Sequence, residues 1–555
     1  MSATKILMLL LCIVMLSLSR TSIHGQSDQS NPAIPNLIVG KAIEREIKGG
    51  EIHVYQIDLR TGEFVRGAVE QLGIAINVKG YFPDGAKIRS FTGPSQGTKR
   101  FRFVAEAPGA YRLELKAADG AASGRYRIHL EQVQPMNDRL KIVREEKYHS
   151  PRLEALRKEV TGGNRNALEQ FWRDIKRNGT PLVEPLEGDD KNLLVTFFWR
   201  AKFETYNVLV WWTPYTPEHP EDYQMTRLPE TDLWYKTLRL PKGARFLYQI
   251  SPNDTLSKAT NAQRYATVQA DPLNPRRRPD DPNLTKYEVF SIAELPGAPP
   301  QPWIEPGPNV PPGKLEEQTF KSTILGNERR LFIYTPPDYK TDGAPYNVLV
   351  LFDGETYRER VPAPTILNNL IAKRKIEPLV AILIGNVSDE ARQRELNCNP
   401  KLPEFLRQEL MPWVREHYHI TNDSARAVIG GLSSGGLAAA YVALQYPQMF
   451  GNVLAQSGAF WWSPKHDEGE EPNWLARQYV MAPRSNVRFF IEAGTFENDV
   501  GGTGGQILEE SRHLRDVLRA RGYEVSYREF VGGHDQLTWR GSLADGLIAL
   551  IGAPH

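Results

Sequence analysis

Cysteine is almost absent from this chain of 555 residues, which has only 2. Cys12 lies in an N-terminal apolar run, so Cys398 stands alone in the remainder and an internal disulfide is excluded there. No activating partner is near it in sequence, and Cys398 reads as a small buried hydrophobe rather than a nucleophile. A charge excess is missing too: 68 Lys and Arg oppose 66 Asp and Glu, a net +2. A nucleic-acid binder would carry a basic surplus gathered on one face, so that class of partner is excluded. Long apolar runs are also lacking. Ile6 to Leu18 spans 13 residues, whereas a membrane-crossing helix needs about 20, and no other stretch is long and apolar enough. Lys5 precedes the run and Ser22-Ile23-His24-Gly25 follows it, so Met1 to about Gln26 reads as a cleaved secretory signal. The expected location is periplasmic or secreted, with no membrane attachment after cleavage.

What is present is ordinary globular composition, 41% hydrophobic and 24% charged, in a length that suits about three domains. Residues 32–134 are all β in pattern: runs such as Ile52-His53-Val54-Tyr55-Gln56-Ile57 are separated by turns such as Pro83-Asp84-Gly85, which predicts a small β-sandwich. Its closing runs, Ala107-Pro108-Gly109-Ala110-Tyr111-Arg112-Leu113 and Gly124-Arg125-Tyr126-Arg127-Ile128, resemble the bacterial pre-peptidase C-terminal type of sandwich found on secreted enzymes. Residues 135–163 are charged, with helical spacing, and read as a connector. A second β-rich unit over 164–290 opens at Phe171-Trp172-Arg173 and continues through strands such as Leu193 to Arg200 and Tyr206 to Trp212. A Pro/Gly-rich linker covers 296–313. From 314 to 555, apolar strands alternate with helical stretches, the pattern of a mostly parallel sheet covered on both faces. The expected fold is therefore multidomain: two N-terminal β-sandwiches followed by an α/β-hydrolase.

Gly431-Leu432-Ser433-Ser434-Gly435 fits G-x-S-x-G between a short apolar strand and an Ala-rich helix. A strand that turns this sharply into a helix leaves no room for Cβ atoms beside the apical serine, which accounts for the framing glycines and selects Ser433. A serine nucleophile needs a base and a group to orient that base, in the chain order Ser, Asp/Glu, His on this scaffold. His534 follows the last strand in Val531-Gly532-Gly533-His534-Asp535. Gly494-Thr495-Phe496-Glu497-Asn498-Asp499 follows the strand before, giving Glu497 as the acid with Asp499 in reserve. The oxyanion hole should use the backbone N–H of Ser434 and one after Asp353, from Gly354 or Glu355. Neither a metal nor an organic cofactor is required.

The Phe-Trp at 171–172, Gly179-Thr180-Pro181, Thr231-Asp232-Leu233-Trp234 and Asp271-Pro272-Leu273-Asn274-Pro275 resemble the N-terminal domain of enterochelin (enterobactin) esterases. Motifs in the later half are similar to the hydrolase of the same family, of the esterase-D type. They are Phe352-Asp353-Gly354-Glu355, Arg392 to Asn399, Gly431 to Gly436, Gln456 to Trp462, and Gly532 to Gly541. The resemblance covers about residues 165–553. It implies a serine esterase that hydrolyses the trilactone of a catecholate siderophore, or of its ferric complex. It further implies that Arg392 contacts the anionic catecholate, with a structural ion pair as the other reading of Arg392. Trp461, Trp462 and Trp539 become candidates to stack on catechol rings. Two other functions stay open on the residues alone: an esterase for feruloyl, acetyl or related esters, and a secreted binding protein on an inactive hydrolase scaffold.

Overall fold

Alternation builds the first unit. In the strand Gly109–Ala117, Tyr111, Leu113, Leu115 and Ala117 are buried while Arg112 and Lys116 face out, the period-two pattern of a sheet with one covered face. The computed structural model describes residues 34–553 apart from 92, 94–95, 119–122, 136–145, 165, 213–219, 255–265, 465–471 and 499–505. The expected signal and the reserve acid Asp499 lie outside the described residues. The first unit holds β1 (Ala42–Lys48), β2 (Ile52–Leu59), β3 (Glu63–Leu72), β4 (Ile76–Tyr81), β5 (Lys87–Phe91), β6 (Gly97–Val104), β7 (Gly109–Ala117) and β8 (Ser123–Pro135). They form two antiparallel sheets, in orders β1-β8-β3-β6 and β2-β7-β4-β5. Both contribute to one core, with Tyr55, Val65, Ile76, Phe101, Tyr111 and Tyr126 among its members.

Two helices follow, Pro151–Thr161 and Ala167–Asn178. Ser150 caps the first by accepting from the Leu153 N–H at 3.2 Å, and Pro151 stands where its missing N–H costs nothing. Phe171-Trp172-Arg173, which opens the second β-rich stretch in the sequence reading, lies inside the second helix. Phe171, Trp172 and Ile175 fall on one helical face and pack against Phe198 and Leu233 of the following sheet, so helical burial decides the conformation.

The second unit contains β9 (Leu182–Leu186), β10 (Asp189–Arg200), β11 (Val208–Trp212), β12 (Thr226–Arg227), β13 (Leu233–Pro241), β14 (Arg245–Pro252), β15 (Arg277–Arg278) and β16 (Phe290–Glu294). Its two antiparallel sheets run β12-β13-β10-β9 and β11-β14-β16-β15, and Phe197, Trp199, Tyr248 and Ile250 share the core between them. The segment before β16 docks on the first unit. Arg89 Nη2 donates to the Tyr287 carbonyl at 3.0 Å, the Ser90 N–H to Glu288 at 2.8 Å, and Lys87 Nζ to the Asn283 carbonyl at 3.1 Å.

The third unit is an eight-stranded sheet of β17 (Lys314–Ser322), β18 (Asn327–Thr335), β19 (Asn347–Phe352), β20 (Leu379–Ile384), β21 (Ala427–Leu432), β22 (Asn452–Gln456), β23 (Arg488–Gly494) and β24 (Glu524–Phe530). The order is β17-β18-β20-β19-β21-β22-β23-β24; the β17–β18 and β18–β20 pairings are antiparallel and the others parallel. All six residues of β19 are buried. Val348, Val350 and Phe352 enter the core on one face, Leu349 and Leu351 the core on the other. Helices cover both faces, which explains why the central strands read as unbroken apolar runs. Burying one such side chain stabilises by about 1.5–3 kcal/mol, so the sheet is a stiff platform for whatever its carboxyl ends carry.

The second unit also grips that platform. The Arg245 N–H donates to the Val531 carbonyl at 3.0 Å and the Leu247 N–H to Asp535 Oδ2 at 3.2 Å, which fixes the start of β14 against the loop after β24.

Candidate active site

β21 ends at Leu432, and the helix Ser434–Gln445 begins two residues later. Ser433 turns the corner with φ 56° and ψ −123°, a left-handed conformation that costs a serine of order 1 kcal/mol or more. Surrounding backbone bonds hold it: the Ser433 N–H donates to the Gln456 carbonyl at 2.9 Å, and its carbonyl accepts from the Ala459 N–H at 3.1 Å. A Cβ on Gly431 would stand 2.6 Å from the Gly435 carbonyl carbon, so the glycine two residues before the serine is a steric requirement. The Ser434 N–H opens the helix, where unpaired N–H groups and the helix dipole favour negative charge.

The strand beside it, β19, leads into a second tight corner. Asp353 has φ 60°, and a Cβ on Gly354 would meet the Leu383 carbonyl oxygen at 2.8 Å. Asp353, 3% exposed, accepts from Asn386 Nδ2 at 2.7 Å and from both Nε and Nη2 of Arg392, the latter at 2.8 Å. Glu355 accepts from Arg330 Nη2 at 2.9 Å and from the Asn386 N–H at 3.1 Å. Gly354 and Glu355 are thus held at the start of the helix Gly354–Glu359. Of the two readings of Arg392, the structure shows the ion pair. Burial works against its charge, but the hydrogen bonds and attraction from Asp353 outweigh that and hold its pKa above the ordinary value. Two of its N–H groups therefore serve the Asp353 corner rather than a ligand.

His534 and Glu497 meet directly, Nδ1 to Oε1 at 2.6 Å. Glu497 is fully buried, and its other oxygen accepts from the Gly494 N–H at 2.6 Å. A carboxylate only accepts, so the proton sits on Nδ1 and Nε2 is left as the basic nitrogen. The two loops are tied by the Phe496 N–H donating to the Gly532 carbonyl at 3.0 Å. Ser433, Glu497 and His534 follow the carboxyl ends of β21, β23 and β24, which are aligned by parallel pairing through β22.

The three tryptophans divide. Trp539 is 4% exposed; its Nε1 donates to Ser457 Oγ at 2.9 Å, and its ring meets His534 edge-on with centroids 4.9 Å apart. That burial removes it from the rings that could stack on a ligand, a correction to the sequence reading: it packs the histidine. Trp461 and Trp462 are half-buried, and Trp462 meets Trp474 edge-on at 5.9 Å.

A polar network beneath the serine escaped the sequence reading. Tyr357 Oη donates to Gln456 Oε1 at 2.7 Å, and Gln456 Nε2 donates to the Trp539 carbonyl at 2.9 Å and to Ser542 Oγ at 2.6 Å. Ser542 Oγ in turn donates to Glu492 Oε1, and burial raises the Glu492 pKa to about 7 against the pull of Arg528. A single carboxylate in the apolar run of β23 was the available signal. Among the described residues, no group of three or more His, Cys, Asp or Glu side chains could hold a metal ion.

The second and third units resemble known proteins. The family described as "Enterochelin esterase, N-terminal" matches residues 194–304, and the family described as "Putative esterase" matches 322–550. An iron(III) salmochelin esterase of Escherichia coli is 30% identical over 419 residues, 73% of this chain and 98% of that protein. An iron(III) enterobactin esterase of Dickeya dadantii is 31% identical over 420 residues, 69% of this chain and 93% of the relative. The chain belongs to the enterochelin esterase family. Among solved structures, the ferric enterobactin esterase of Salmonella typhimurium superposes with TM-score 0.57 at 28% identity, over 69% of this chain and 98% of that one. The enterobactin esterase of Shigella flexneri, crystallised in the presence of enterobactin, gives 0.55 at 29% identity, over 67% and 95%. Family membership makes the chain a hydrolase acting on esters. The first unit, Ala42 to Pro135, lies outside both family matches.

Proposed function

We propose that this chain is an exported serine esterase that opens the ester bonds of a catecholate siderophore of the enterobactin type, free or as its ferric complex, through an acyl-enzyme. The 2.6 Å contact between His534 and Glu497, on loops neighbouring the strained Ser433, is the observation that carries it. His534 Nε2 takes the proton of Ser433 Oγ as that oxygen attacks the ester carbonyl carbon, while Glu497 stabilises the imidazolium. The N–H groups of Ser434 and of Gly354 or Glu355 receive the oxyanion. Collapse breaks the bond to the leaving alkoxide, which takes the proton from His534. Water, deprotonated by the same nitrogen, then attacks the acyl carbon and frees Ser433.

Arg392 acts through Asp353 by holding the corner that presents Gly354 and Glu355, and Trp461 and Trp462 offer ring faces to a catechol. The chain divides into the signal at 1–26, sandwiches at 32–134 and 164–290 joined by the connector, the linker, and the hydrolase from 314, and it works in the periplasm or outside the cell. The test is a hydrolysis panel on purified mature protein with Ser433→Ala as control. Release of dihydroxybenzoylserine from the cyclic trilactone, at a kcat/KM at least tenfold above that for feruloyl esters, is expected. Rapid feruloyl release with negligible trilactone turnover would overturn the substrate.

A further inference from the structure

β22 leads to none of Ser433, Glu497 and His534, yet it lies between β21, which leads to the serine, and β23, which leads to the glutamate. Its last residue, Gln456, pairs with Leu432 on one side and Glu492 on the other and is fully buried. The main chain of Gln456 holds the nucleophile corner, because its carbonyl accepts the Ser433 N–H at 2.9 Å. The side chain reaches two further elements. One is the helix Gly354–Glu359, which begins at the oxyanion corner and carries Tyr357. The other is the helix Gln536–Ile551, which follows His534 and carries Trp539 and Ser542.

The amide stands one way round. The Trp539 carbonyl can only accept, so Nε2 faces it at 2.9 Å, and Oε1 is left to accept from Tyr357 Oη at 2.7 Å. Nε2 also meets Ser542 Oγ at 2.6 Å, with Glu492 Oε1 further off at 3.2 Å. The acceptor of Gln456 thus ends in the oxyanion helix and its donors in the histidine helix. Tyr357, Gln456 and Ser542 are all fully buried, in a core face otherwise built from Leu432, Leu454, Phe490 and Leu543. Apolar side chains of the same shape would cost such a face little. Linked hydrogen bonds add what apolar contact does not: they hold the elements in one mutual arrangement.

The next residue completes the grip on the histidine. Ser457 is fully buried and takes φ 50°, a left-handed corner like that of Ser433. Its N–H donates to the Glu492 carbonyl at 2.9 Å, and its Oγ accepts from the Trp539 indole. Trp539 is therefore held at both ends, by Gln456 at its carbonyl and by Ser457 at its ring. That ring is the one that meets His534 edge-on.

We propose that Gln456 is a positioning residue of the esterase, a strut that sets the spacing of the oxyanion corner and the histidine helix on either side of Ser433. It touches no substrate and acts through Tyr357 on one side and Trp539 on the other. The proposal rests on the reading of Ser433 as nucleophile above. Oxyanion binding and proton transfer are made in the transition state and not in the bound ester, so the strut serves kcat rather than KM. A misplacement of about 1 Å among reacting groups can cost on the order of 10² in rate.

The test is steady-state hydrolysis of p-nitrophenyl butyrate by the full chain, with Gln456→Met, Tyr357→Phe, Ser542→Ala and the Ser433→Ala control. Gln456→Met keeps the reach of the side chain and removes both arms; the other two remove one arm each. Gln456→Met should lower kcat about 10²-fold with KM within about twofold. Tyr357→Phe and Ser542→Ala should each lower kcat by about tenfold alone and have no further effect on Gln456→Met. Tyr479→Phe removes a buried hydrogen bond to the Ala440 carbonyl at 2.7 Å on the opposite face of the sheet. It should lower the urea midpoint and leave kcat unchanged, which separates lost stability from lost positioning. Should Gln456→Met not fold, Tyr357→Phe combined with Ser542→Ala decides: a joint loss smaller than the product of the two supports the strut, and the full product overturns it. An unchanged kcat in Gln456→Met, a change confined to KM, or arm effects undiminished on Gln456→Met would also overturn it, while activity still lost in Ser433→Ala would keep the serine reading standing. Hydrolysis undiminished in Ser433→Ala would overturn the serine reading and the strut together.

Discussion

His534 owes its usefulness to the Glu497 carboxylate, which fixes its tautomer from a fully buried position. Glu497→Gln preserves shape but removes the charge and lets the amide donate toward Nδ1, favouring the wrong tautomer. The expected result is a fall in kcat of about 10³–10⁴ with KM changed little, read by steady-state kinetics on the trilactone. Glu492, five residues earlier, is a different kind of carboxylate. Its pKa of about 7 stands above the ordinary 4.5, so the folded state keeps a proton that the unfolded state releases between those values. Stability contributed by this group is therefore lost as pH rises through that window, by about 3 kcal/mol in full. Glu492→Gln keeps an uncharged acceptor for Ser542 and removes the titration. Urea unfolding should show the variant gaining on wild type at pH 8 but not at pH 5. An identical gain at both pH values would show that Glu492 does not titrate there. Glu497 could be read from the sequence because it follows a strand in hydrolase order. The partners of Glu492 could not, because Gln456, Ser542 and Tyr357 converge from three distant elements.

At the scale of elements, Asp535 joins two units. It caps the helix Gln536–Ile551 by accepting from the Leu537 N–H at 2.9 Å and also accepts from the Leu247 N–H at 3.2 Å across the interface. Asp535→Ala leaves two buried donors unsatisfied, at a cost of about 1–3 kcal/mol each at most. A lower urea midpoint is expected, with a drop in kcat because the next residue back is His534; Asp535→Asn should restore part of both. An unchanged midpoint would deny the brace. Unbroken apolar runs of strand length and glycine-framed corners made β19, β20, β21 and the Ser433 turn legible in the sequence. Three features were not. β22 is a strand of only five residues, and β17 carries six exposed residues of nine because it is an edge strand. The helix Lys401–Phe405 passes through a π-type turn at Leu406–Leu410 into Met411–His417, a local change of pitch that no spacing in the chain announces.

The whole molecule is a hydrolase sheet braced by one two-sheet unit and extended by another. β14 of the second unit holds the histidine loop, and the first unit docks on the second. The number of units was legible from turn signals and the Pro-rich linker. Their mutual placement was not, because it depends on side-chain contacts between residues nearly 200 or more positions apart, such as Ser90 with Glu288 and Leu247 with Asp535. At this scale the central claim is that the chain works through one covalent step at Ser433. The direct measurement is rapid-quench mass spectrometry of the mature protein mixed with the catecholate trilactone. An acyl adduct on the peptide containing Ser433, appearing before steady state and absent in Ser433→Ala, is the predicted result. Trilactone hydrolysis undiminished in Ser433→Ala, or an adduct on another residue, would contradict it.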